Sequence, residues 1–291
     1  MRQLVTAALA IALNAGLNGQ AVSLPMEPTH DSGQSITGAY EGWYKNPDGS
    51  FSMLVGYYNR NQRSATDVPL GPENHVDPGG PDQGQPVHFL PGRQWGVFTI
   101  RVPADFGDKK LTWTIVVNGK STQIPLSLNT LWEVEPFKDA SGNHPPSVSF
   151  KETGPFRSGP IQEAEVLTAT VGAPVPLQVW VADDEVLAPG AKRPKTPSVV
   201  MNWSKSRGPG EVVFANARPA AEAAPNPNAP KETVFQGKAA TTATFSEPGD
   251  YLLRLEVNDW TGPGGRGFQC CWSTALVKVS VKPAANKVQS E

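Results

Sequence analysis

Two adjacent cysteines, Cys270 and Cys271, are the only thiols in the chain. Cα atoms joined by a trans peptide lie about 3.8 Å apart, short of the usual disulfide range of about 4.4 Å upward. A vicinal disulfide therefore requires a sharp turn, which the preceding run GPGGRG from Gly262 can supply. One buried thiol beside one exposed thiol, a bridge to a second molecule, and metal binding are the other readings.

A second group is acidic. Asp183, Asp184 and Glu185 end one hydrophobic run, and Asn258 and Asp259 end another. If those ends meet in space, Asp183, Asp184 and Asp259 offer the oxygen ligands that calcium takes. If they do not, they form a solvated acidic turn. A third group is aromatic: Trp43, Tyr44, Tyr57 and Tyr58 would make a sugar-binding face if exposed and coplanar, and core if buried. The proline- and glycine-rich stretch 69–86 holds Glu73, Asn74, Asp77 and Asp82, whose spacing fits no calcium loop, and His75, with His88 just beyond. Their convergence in a pocket would point to a hydrolase. The sequence has no G-x-S-x-G elbow, no H-E-x-x-H, no phosphate loop and no dinucleotide fingerprint. The expectation is no catalytic residue and no organic cofactor, with calcium the one cofactor candidate.

The elements that must position these groups are strands. With 29 Pro and 28 Gly but only 18% charged residues, the composition suits short strands joined by many turns. The expected fold is all-β, two immunoglobulin-like β-sandwich domains in tandem after a signal peptide. Residues 1–21 carry a basic start, an alanine-rich apolar segment and small residues before Val22, the three regions of a secretory signal. A flexible lead-in at 22–39 precedes a first sandwich at 40–135. There Asn46-Pro47-Asp48-Gly49 and Asn118-Gly119 mark hairpins. A polar linker at 136–146 leads to a second sandwich at 147–283 and a disordered tail at 284–291. The insertion 215–230, rich in alanine and proline, reads as a mobile surface loop.

The clearest strand is the stretch FSEPGDYLLRLEVND, residues 245–259. Tyr251, Leu253, Leu255 and Val257 share one face and Leu252, Arg254, Glu256 and Asn258 the other, so a strand with one dry face is expected. Together with Asp183-Asp184-Glu185, Asn202-Trp203-Ser204, Gly208-Pro209, Val212-Val213-Phe214 and Ala243-Thr244-Phe245, this stretch resembles a PKD-type domain over residues 167–281. The resemblance implies a β-sandwich used as a spacer, adhesive or assembly module on secreted proteins, with no catalytic residues. The insertion 215–230 and the GPGGRGFQCC run depart from the pattern.

The formal net charge is −2 and no basic stripe stands out, which argues against a nucleic-acid partner. No stretch beyond residue 21 is apolar enough to span a membrane. The sequence thus predicts a secreted or cell-surface, non-catalytic structural or interaction module, whose partner is an envelope or extracellular protein or a polysaccharide. A carbohydrate-binding accessory protein and an unrecognised hydrolase are the competing expectations.

Overall fold

The computed structural model describes residues 30–187, 189–263 and 270–284. The expected signal peptide, residues 22–29 of the expected lead-in, residues 264–269 of the run after Gly262 and residues 285–291 of the tail lie outside these residues. The described chain is all-β, two immunoglobulin-like sandwiches in tandem, each with its own hydrophobic cluster.

The first sandwich is built from β1 (Ile36–Lys45), β2 (Phe51–Asn59), β3 (Thr66–Asp67), β4 (Asn74–Asp77), β5 (His88–Phe89), β6 (Gly92–Val102), β7 (Lys110–Val117) and β8 (Lys120–Ser127). One sheet runs β1-β2-β6, the other β4-β7-β8, and β3 pairs with β5 at one side. Strand β1 begins inside the expected lead-in because Ile36 is buried and pairs with Asn59. The β1–β2 turn closes where Gly49 takes φ +86°. The β7–β8 turn closes at Asn118 and Gly119, with φ of +52° and +74°, the conformation a two-residue hairpin demands.

The aromatics fill this core. Trp43, Tyr44 and Tyr57 are buried, and Trp113 lies beneath Phe89 and Phe98, with ring centroids 6.2 and 5.1 Å away. Of the four residues expected as a possible sugar-binding face, only Tyr58 is exposed. Three sit on the inner side or under the linker because a small sandwich has little other bulk with which to close itself. Phe137, from the linker, meets Tyr44 edge on.

The second sandwich is built from β9 (Ser147–Ser149), β10 (Pro160–Thr170), β11 (Val175–Asp183), β12 (Val200–Arg207), β13 (Val212–Phe214), β14 (Glu222–Ala223), β15 (Phe235–Phe245), β16 (Gly249–Asn258) and β17 (Trp272–Lys282). Its sheets run β10-β17-β16-β12 and β13-β15-β11-β9, with β14 on β15, and β10 lies parallel to β17. The insertion 215–230 is stitched down rather than free. Trp203 N–H donates to the Ala217 carbonyl, Ala215 N–H to Thr242 O, and Ala224 N–H to Gln236 O. The buried Asn226 amide donates to Glu152 O.

Strand β16 has two buried faces, not one. Tyr251, Leu253, Leu255 and Val257 enter the sandwich core. On the other face Arg254, Glu256 and Asn258 are buried too, because the first sandwich is docked on them. Arg254 donates through Nη2 to the Trp95 carbonyl (2.6 Å) and pairs with Glu256, whose other oxygen accepts from the Asn258 amide at 2.8 Å. Beside this pair lies another, Glu41 with Arg93; Glu41 also accepts from Gly96 N–H at 2.7 Å. The Arg93 guanidinium sits 3.8 Å from the Trp95 ring centroid. Two glycines make the fit possible. A Cβ on Gly56 would lie 2.2 Å from Glu41 Oε1, and one on Gly96, where φ is +49°, would lie 2.8 Å from the Trp272 indole nitrogen.

Candidate functional site

Beside the charged pairs of the domain interface, two places among the described residues gather charged or reactive groups: the loop 69–86, and the end of the second sandwich that faces the linker.

The loop is ordered by buried amides. Asn74 donates to the carbonyls of Val68 and Pro86 and accepts from the Trp113 indole at 3.0 Å. Gln85, fully buried, donates to Pro81 O. Its acids and histidines are dispersed: His75 pairs with Asp77, and His88 with Asp67. Asp82 takes both arms of Arg207 from β12, at 3.0 and 2.8 Å. That hydrogen-bonded pairing holds the Asp82 carboxyl below its ordinary range. Arg207 also donates to Gln85 O, and Val87 N–H to Ser206 O, so the loop works as a clasp between domains.

At the sandwich end the strand ends meet. The inward column Leu177, Val179, Val181 of β11 continues to Asp183, and the inward column of β16 continues past Val257 to Asp259; both acids are buried. Alternation turns Asp184 the other way, where its Oδ2 accepts from the His144 backbone N–H and meets the His144 ring at 2.8 Å. The calcium set expected from the sequence therefore divides. Asp183 and Asp259 come within electrostatic reach of each other, while Asp184 is hydrogen-bonded by His144. Among the described residues no three of His, Cys, Asp and Glu group as a metal set.

Asn143, in the expected linker, is a residue that the sequence does not single out. It is buried, and its Nδ2 donates to Asp259 Oδ2 at 2.7 Å. The signal that would have found it is the tight turn Asp139-Ala140-Ser141-Gly142, where Asp139 Oδ1 accepts from Ser141 and Asn143 N–H and aims Asn143 inward. Each carboxylate has one oxygen served by local backbone, Asp183 Oδ1 by Glu185 N–H and Asp259 Oδ1 by Thr261 N–H. Asp183 Oδ2 and Asn143 Oδ1 are buried without any donor. Burial, reinforced by the charges of Asp259, Asp184 and Glu185, pushes the Asp183 carboxyl up to about 8; burial likewise raises Asp259. In chemical terms, among the described residues, the cluster is a set of acceptors without a cationic partner.

Cys270 and Cys271 adjoin it. They are joined by a disulfide, both are buried, and their sulfurs lie 3.9 and 3.4 Å from the Asn143 carbonyl oxygen. The next residue, Trp272, carries its indole onto Gly96 of the first sandwich. Ser273 Oγ donates to Pro146 O and accepts from Gly159 N–H. The bonded pair therefore sits where linker, acidic pocket and domain interface converge.

No protein-family model matches the chain, and no curated protein sequence matches it. Among solved structures, the chain is similar to the D00-D0 domain of intimin, at 12% identity over 85% of this chain and 100% of that one, with a TM-score of 0.25. It is similar to Rst D1-D2 at 9% identity over 86% and 100%, with a TM-score of 0.26. It is similar also to domains 4 and 5 of the S-layer protein SbsC, at 8% identity over 85% and 98%, with a TM-score of 0.22. Likenesses at these scores carry nothing about what the present chain binds.

Proposed function

We propose that the chain is an exported, non-catalytic structural or interaction module, working at the cell envelope or outside the cell, with a second sandwich of the PKD type. The observation that carries this reading is the domain interface. The polar face of β16 is buried by the first sandwich, and the Arg207 clasp closes the rim, so the two domains form a body of fixed geometry. A spacer or display element needs such a body, since interdomain motion is the default where an interface is small. The Cys270–Cys271 disulfide supports an oxidising compartment, where such bonds persist.

Fractionation of cells making the full chain with a C-terminal epitope tests the reading. The chain should reach the envelope or the medium with a mature N-terminus at Val22, and crosslinking there should capture a surface protein or polysaccharide. Retention inside the cell with an intact N-terminus would contradict it.

A further inference from the structure

We infer that the linker-facing end of the second sandwich is a site for a single hard divalent cation, calcium by preference, held by Asp183, Asp259 and Asn143. The inference does not depend on where the chain works.

The strand pattern is the first reason. Each of the two inward columns is apolar up to its final residue and then places a carboxylate over the end of the core. A buried carboxylate is costly unless something compensates it. Among the described residues the donors within reach are already committed: the Asn143 amide and Thr261 to Asp259, and Glu185 N–H to Oδ1 of Asp183. Two oxygens, Asp183 Oδ2 and Asn143 Oδ1, are left buried and unserved. The orientation of the Asn143 amide is fixed, because turning it over would set its oxygen against the Asp259 carboxylate.

Among the described residues every open group at this end is an oxygen acceptor, and what completes acceptors is a donor or a cation. The ligand type selects the cation. The cysteines are bonded to each other and offer no thiolate, and His144 is engaged by Asp184, so among the described residues soft and borderline metals find no sulfur or nitrogen. Two carboxylates with an amide oxygen suit calcium, which accepts six to eight oxygens in flexible geometry and fills the rest from backbone carbonyls and water. Magnesium demands a near-ideal octahedron and gives up water reluctantly, which favours calcium here. Asp184 and Glu185 would add to the field without touching the ion. Because Asn143 belongs to the linker and the two acids to the sandwich, the ion would fasten one to the other.

The test uses the chain without residues 1–21, freed of metal with EDTA, titrated with calcium chloride while thermal unfolding is followed. A parallel titration with terbium reads the luminescence sensitised by the adjacent Trp260. The expected result is a saturable rise in Tm, and a terbium signal that calcium displaces. Asp259→Asn should weaken both at least about tenfold, the order expected when a calcium site loses a charged ligand. Asp184→Asn should leave them within about twofold of the parent, since it removes a field and not a ligand. Should Asp259→Asn fail to fold, Asp183→Asn, checked by circular dichroism, replaces it. An unchanged Tm up to about 10 mM calcium, above the weakest extracellular sites, would overturn the inference. So would binding that survives both Asp259→Asn and Asp183→Asn, which would put the ion elsewhere.

Discussion

From residue 253 to 258 the two faces of β16 are both buried, by different means. The inner face is dry because Tyr251, Leu253, Leu255 and Val257 are apolar, and any sandwich would enclose them. The outer face carries Arg254, Glu256 and Asn258, and it is dry because a second domain lies on it. Alternation in a sequence reports which residues prefer water, not whether water reaches them. The difference between the faces is thus one between burial chosen by residue type and burial imposed by docking, and the imposed kind leaves charges that must be paired in place.

Breaking the imposed face should cost most. Arg254→Ala would leave Glu256 without its partner and Trp95 O without its donor, an expected loss of about 3–5 kcal/mol by urea denaturation. Amide exchange across β6 should quicken with it; a loss below about 1 kcal/mol would mean that the pair is solvated. Leu255→Ala, on the inner face, should lose about 2–5 kcal/mol. Here the β6 amides should stay protected up to the global transition, which separates core from docking.

The acidic end gives an effect spread over pH. In EDTA, an unfolded Asp183 ionises near the ordinary aspartate value of 3.8, whereas the folded one keeps its proton to about 8. Between those values the native state binds more protons, so this residue makes stability fall as pH rises. Asp183→Asn should flatten that part of the stability profile. A parent profile with no decline in this window would contradict the burial of the group.

The rim should matter least. Arg207 with Asp82 is a well-aligned but partly exposed pair, so a double-mutant cycle should return about 0.2–1 kcal/mol of coupling, shrinking with added salt.

What the sequence made legible follows the same division. The hairpins at Asn46 to Gly49 and at Asn118-Gly119 were readable because turn chemistry is local. So were the inward columns ending in Asp183 and Asp259, since period-two alternation carries straight through to the acids. The loops 69–86 and 215–230 looked alike and structureless because their order comes from single amides, Asn74, Gln85 and Asn226, bonded to distant carbonyls. Nothing in local composition encodes such a partner. The first-domain aromatics were ambiguous for a related reason: an aromatic suits a core and a binding face equally, and only the sheet packing assigned Trp43, Tyr44 and Tyr57 to the interior. The bonds of Asn143 and His144 to the second sandwich are not legible in the sequence, because a polar run looks the same whether its side chains meet water or a neighbouring domain.

The central claim is that docking on the polar face of β16 makes one body of two sandwiches. Residual dipolar couplings of amides in both domains, measured in a weakly aligning medium, test it most directly. One shared alignment tensor, with Arg254→Ala splitting it into two, is the predicted result; two tensors of different magnitude in the parent chain would contradict the account.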